Sequence, residues 1–132
     1  MTPLLHRFGH SPAMVLPAVV LSILAGASAV AAGSFDGTYS GSTKISGSAN
    51  SACAADGSRV QMTVIDGKVS YNHFSTILTG TVEPDGSFTA SGRNMRYKPP
   101  VVQSISGHIS SNGAEADSAT AACNYHITFR KL

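Results

Sequence analysis

From Cys123 to Arg130 the chain alternates without a break. Cys123, Tyr125, Ile127 and Phe129 share one parity; Asn124, His126, Thr128 and Arg130 take the other. A period of two marks a strand with one face in an apolar interior and one in water, because successive side chains leave the backbone on opposite sides. The same pattern recurs upstream. Phe35, Gly37, Tyr39, Gly41, Thr43 and Ile45 form one series, followed by Val60, Met62 and Val64, then Val69, Tyr71 and His73. Leu78, Gly80 and Val82 form the next, then Phe88, Ala90 and Gly92, then Ile105, Gly107 and Ile109. No segment after residue 33 holds a helical period, and glycine recurs too often for a long helix. The chain is expected to be all-β.

The corners carry their own chemistry. Asp66-Gly67 stands directly between two alternating runs, a strong two-residue hairpin signal. Glu83-Pro84-Asp85-Gly86 follows the Leu78 run and Ser111-Asn112-Gly113 the Ile105 run, each with a residue that accepts a turn conformation. Turns joining successive strands describe an antiparallel meander. A faint repeat links Gly80-Thr81-Val82-Glu83-Pro84-Asp85-Gly86 to Gly107-His108-Ile109-Ser110-Ser111-Asn112-Gly113. Each copy puts a glycine inside a strand ahead of a corner, where it permits a bend or bulge. The expected architecture is a small antiparallel β-meander barrel or flattened sandwich of about six to eight strands.

Residues 1–31 read as a secretory signal, leaving residues 32–132 as a single domain. Arg7 lies in a polar start, residues 13–24 are mostly apolar, and Ala27-Ser28-Ala29 and Ala29-Val30-Ala31 offer small residues at peptidase spacing. An uncleaved anchor would need about 20 apolar residues; Pro17, Gly26 and the alanines suit cleavage better. No cysteine directly follows the apolar run, as a lipid anchor would need. The expected destination is periplasmic or secreted. In such an oxidising compartment the only two cysteines, Cys53 and Cys123, are expected to form a disulfide. Metal ligation would require further Cys or His at short spacing.

Only 12% of residues are charged and the formal charge is +2, or +1 without Arg7. That balance argues against nucleic acid or anionic membranes as general partners, so membrane contact is expected only through the transient signal. No catalytic, cofactor or metal site emerges. His108 and His126 stand on polar parity and His73 on apolar parity, so the three do not share a face. A partly buried, hydrogen-bonded role is expected for His73 and solvated positions for His108 and His126. No serine sits in a Gly-x-Ser-x-Gly elbow. No carboxylate pair is placed by local sequence for acid–base work. Tyr39 and Tyr125 are expected in the core.

The one concentration of recognition-type residues is Arg93-Asn94-Met95-Arg96-Tyr97-Lys98-Pro99-Pro100. Arg93, Arg96, Tyr97 and Lys98 are the candidate binding residues, since Arg and Tyr often carry interface energy. The competing reading is that charges and prolines here keep an exposed edge strand from pairing with other chains.

The export signal, Phe35-Asp36-Gly37-Thr38-Tyr39-Ser40-Gly41, Cys53 and Cys123-Asn124-Tyr125 together resemble small exported bacterial single-disulfide β-domain proteins of unknown function. In size, single disulfide and meander the chain is more loosely similar to periplasmic β-barrel inhibitors of hydrolases. The expected function is a small exported non-enzymatic binding module of the bacterial envelope, an inhibitor or ligand-binding protein, with a protein partner or small ligand held by the 93–98 segment or by a barrel mouth. A structural or stress-related envelope protein without a discrete site is the alternative. A hydrolase would require His73 to meet an acid and a serine.

Overall fold

The alternating runs are strands, and the chain reverses at the Asx-Gly corners. The computed structural model describes residues 33–47 and 52–132; the secretory signal expected at residues 1–31 lies outside the described residues. The strands are β1 (Gly37–Ile45), β2 (Arg59–Ile65), β3 (Lys68–His73), β4 (Thr76–Val82), β5 (Ser87–Asn94), β6 (Val101–Ile109), β7 (Gly113–Ala119) and β8 (Asn124–Lys131). Each pairs antiparallel with the next, and β1 closes on β8 from Tyr39↔Lys131 to Ile45↔Tyr125. The fold is therefore a closed eight-stranded barrel. A flattened sandwich would have left β1 and β8 as edges, and closure removes both.

The interior follows the parity of the sequence. Tyr39, Met62, Val64, Val69, Tyr71, Leu78, Phe88, Ile105, Ile127 and Phe129 are all buried. Filling so narrow a space requires small side chains opposite large ones. Gly41 pairs with Phe129, and a Cβ built on Gly41 would lie 2.6 Å from that ring. β7 takes this to its limit, setting Ala114, Ala116 and Ser118 against Phe129, Ile127 and Tyr125 of β8. β7 is the strand that alternation of large apolar residues misses. Its inward residues are small because its neighbours supply the bulk.

The two ends differ. One carries the tight corners, with Asp66 at φ 51° and Gly67 at φ 72° in the β2–β3 hairpin. The other carries the long β1–β2 connection, the Phe74-Ser75 turn, the β5–β6 loop and the β7–β8 turn. Cys53, in the β1–β2 connection, is bonded to Cys123, just before β8, with Cα atoms 5.7 Å apart. The bridge thus fastens two connections at this second end, the mouth of the barrel.

Candidate functional site

Core packing stops short of the mouth. Tyr39 and Tyr71 fill the interior, but above them a cavity of about 310 Å³ opens between the loops. Its walls come from four places. β3 and β4 bring His73, Phe74, Ser75 and Thr76; β5 and the β5–β6 loop bring Asn94 and Tyr97. Gln103 comes from β6, and the bridge and Tyr125 complete the ring. Larger grooves exist on the outer wall, such as one around Ile65, Lys68 and Thr79. The mouth is distinguished by a buried polar group that the described residues do not satisfy.

That group is the side-chain amide of Gln103. It is 4% exposed, it lines the cavity, and its Oε1 has no hydrogen-bond partner among the described residues. A buried amide oxygen without a donor costs about 1–3 kcal/mol. Alternation explains why it points inward: Gln103 shares parity with Ile105 and Ile109 of β6. A glutamine there breaks the apolar series, a signal readable in the sequence but missed. Ser118 Oγ is also buried and without a partner, next to Tyr125 in the sheet.

His73 is 5% exposed and meets Tyr71 through a 3.0 Å hydrogen bond between the Tyr71 hydroxyl and Nδ1. Burial pushes the phenol's pKa up, so Tyr71 keeps its proton. No other acceptor among the described residues meets that hydroxyl. Its donation to Nδ1 places the imidazole proton on Nε2. That N–H has no partner among the described residues. Burial also lowers the His73 pKa to about 4, so the ring is neutral at ordinary pH. Tyr125 accepts a 2.7 Å hydrogen bond from the Ala54 amide, which leaves its own O–H to donate. Phe74, at φ 53°, occupies a backbone region that disfavours bulky side chains. Strain of that kind persists where the surrounding structure holds it, often beside a binding site.

The candidate residues of the 93–98 segment divide. Only Tyr97 lines the cavity; Arg93 points outward from β5, and Arg96 and Lys98 stand exposed in the β5–β6 loop. Asn94 shapes that loop by accepting from the Arg96 amide at 3.0 Å. The edge-guard reading loses its premise, because the closed barrel leaves no edge strand to guard. His73, expected partly buried and hydrogen-bonded, is hydrogen-bonded and more deeply buried than expected. His108 is exposed, with Nε2 2.7 Å from the Asp85 carbonyl oxygen. His126 lies on the outer face as expected, with its side chain 43% exposed, and is also gripped there by Glu115 (2.6 Å) and Asp117 (2.9 Å). Those carboxylates stand on β7, the strand that was not read, so their approach was not legible. No group of three His, Cys, Asp or Glu side chains among the described residues is arranged to hold a metal ion. Nor does any carboxylate line the cavity beside His73.

No family model, curated protein or solved structure matches the chain. The geometry of the mouth therefore carries the functional reading.

The two histidines predict the pH dependence of stability. Burial holds the folded pKa of His73 below the ordinary 6.5, so its stabilising contribution is present above that value and is lost as pH falls toward about 4. The loss should be on the order of 2 kcal/mol, allowing for solvent at the cavity. Hydrogen bonds donated to Asp117 and Glu115 raise the His126 pKa, so its contribution is full below 6.5 and fades as pH rises through the raised value. Urea midpoints across pH 4.5–8.5 should peak near pH 6.5. His126→Gln should flatten the alkaline limb alone; an unchanged alkaline limb would reject this assignment.

Proposed function

We propose that this protein is an exported, non-enzymatic binding module of the bacterial envelope that takes a small ligand in the mouth of its barrel. The observation that carries the reading is Gln103, a buried acceptor on the cavity wall with no donor among the described residues. Barrel mouths are common ligand sites, and a pocket lined by aromatic rings with a few convergent polar groups is the usual form. The cavity lies at the small end of such pockets, which range over about 300–1,000 Å³. A structural disulfide at the rim suits an oxidising compartment and holds the wall in its binding shape before a ligand arrives. Tyr97 belongs to this site, whereas Arg93, Arg96 and Lys98 surround it without entering.

Stability measurements test the reading before any ligand is identified. Gln103→Met keeps the side-chain length and removes the unsatisfied oxygen. The variant should be more stable by about 1 kcal/mol in urea or thermal unfolding. A loss of stability instead would mean that Gln103 is a structural residue with an internal partner, and the mouth would lose its claim.

A further inference from the structure

Resting on the mouth as the binding site, we infer that its ligand is an uncharged, non-planar, hydroxyl-rich ring: a saccharide unit. Three features of the cavity converge on that class. The first is charge. Among the described residues that line it there is no Asp, Glu, Lys or Arg; the polar lining consists of hydroxyls, amides and one imidazole. The imidazole is buried, and a charged group beside it would face the same desolvation cost without an opposite charge to offset it. Arg96 and Lys98 are near in sequence but stand outside the cavity, exposed to water.

The second feature is the mixture of hydrogen-bonding roles. Gln103 Oε1 lacks a donor, whereas His73 Nε2–H and the Tyr125 O–H are left able to donate. A hydroxyl both donates and accepts, so neighbouring hydroxyls on one ring can satisfy all three groups. A purely apolar ligand would leave them unmet, at a cost for each.

The third is the arrangement of the rings. His73 and Phe74 meet at 72° with centroids 4.7 Å apart, His73 and Tyr125 at 51°, and Phe74 and Tyr125 at 64°. No two of these planes are parallel, so they form no slot for a flat heteroaromatic base. Tilted faces instead offer separate apolar surfaces to the C–H edges of a puckered ring.

The test is titration of the purified protein with glucose, N-acetylglucosamine and their β-1,4-linked disaccharides. Glucose 6-phosphate and adenine serve as the charged and planar probes. Side-chain NMR signals of Gln103 and His73 report binding at the mouth. Neutral sugars should shift both signals with dissociation constants near 1 mM, the weak range of a single small-ring site. Gln103→Met should weaken binding about tenfold or more, and Arg96→Ala should leave it unchanged. If glucose 6-phosphate or adenine shifts those signals and the neutral sugars do not, the mouth stands as a binding site and the saccharide class falls. If no probe shifts them, the saccharide class falls as well. The wider reading is then decided by the stability of Gln103→Met.

Discussion

Reduction of the Cys53–Cys123 bridge, or Cys123→Ser, should lower stability by about 4 kcal/mol. The bridge spans 70 residues of sequence, and cross-linking so long a loop removes a large share of the unfolded chain's freedom. The native ladder would lose little directly, since β1 and β8 are already joined by backbone pairing from Tyr39↔Lys131 to Ile45↔Tyr125. For a domain of this size, total stability is about 5–15 kcal/mol, so the reduced protein should sit close to its unfolding threshold. A second effect should accompany the first. The bridge holds the connection whose Ala54 amide donates to Tyr125, so breaking it should loosen the cavity wall. Urea unfolding with and without reductant measures the first effect; exchange of the Ala54 amide proton under native conditions measures the second. Equal midpoints in both redox states would show that barrel closure alone sustains the fold.

Gly80→Ala and Gly107→Ala should each cost about 3 kcal/mol or more. A Cβ on Gly80 would lie 1.8 Å from the Thr89 carbonyl oxygen, and one on Gly107 2.1 Å from that of Glu115. Both obstacles are backbone atoms of a paired strand, so no side chain can swing aside. Relief would require parting β4 from β5, or β6 from β7, along the ladder that closes the barrel. Gly67→Ala is the control. Gly67 adopts φ 72° with nothing within 4 Å of the added carbon, so only the left-handed backbone resists, at about 1–2 kcal/mol. If Gly80→Ala proved no worse than Gly67→Ala, close approach of the strands would not explain these glycines.

Much of this architecture is legible before any coordinates. Alternation locates seven strands, and the Asp66-Gly67 and Glu83-Pro84-Asp85-Gly86 corners mark real reversals. The repeated glycines at 80 and 107 are visible as a motif, and the structure explains them as points where neighbouring backbones come too close for a side chain. β7 escapes because Ala114, Ala116 and Ser118 are too small to register as an apolar face. Missing β7 also hides the carboxylates that hold His126. At the mouth, parity alone turns His73 and Tyr125 inward and could have turned Gln103 inward. That these three line one cavity is not visible in their spacing, because they stand on β3, β8 and β6.

Local chemistry in the chain is sufficient for seven of the eight strands, for the Asx-Gly corners between them and for the inward or outward sense of their side chains. The reason is that backbone geometry fixes a two-residue period wherever a strand forms. The chain's bridge partners also follow from there being only two cysteines. Closure into a barrel, the pairing of small with large residues inside it, and the convergence of Gln103, His73, Tyr97 and Tyr125 were decided only by tertiary structure. Those depend on how many strands associate and how far each is staggered against its neighbour, and hydrogen-bond pairing between residues distant in sequence sets both.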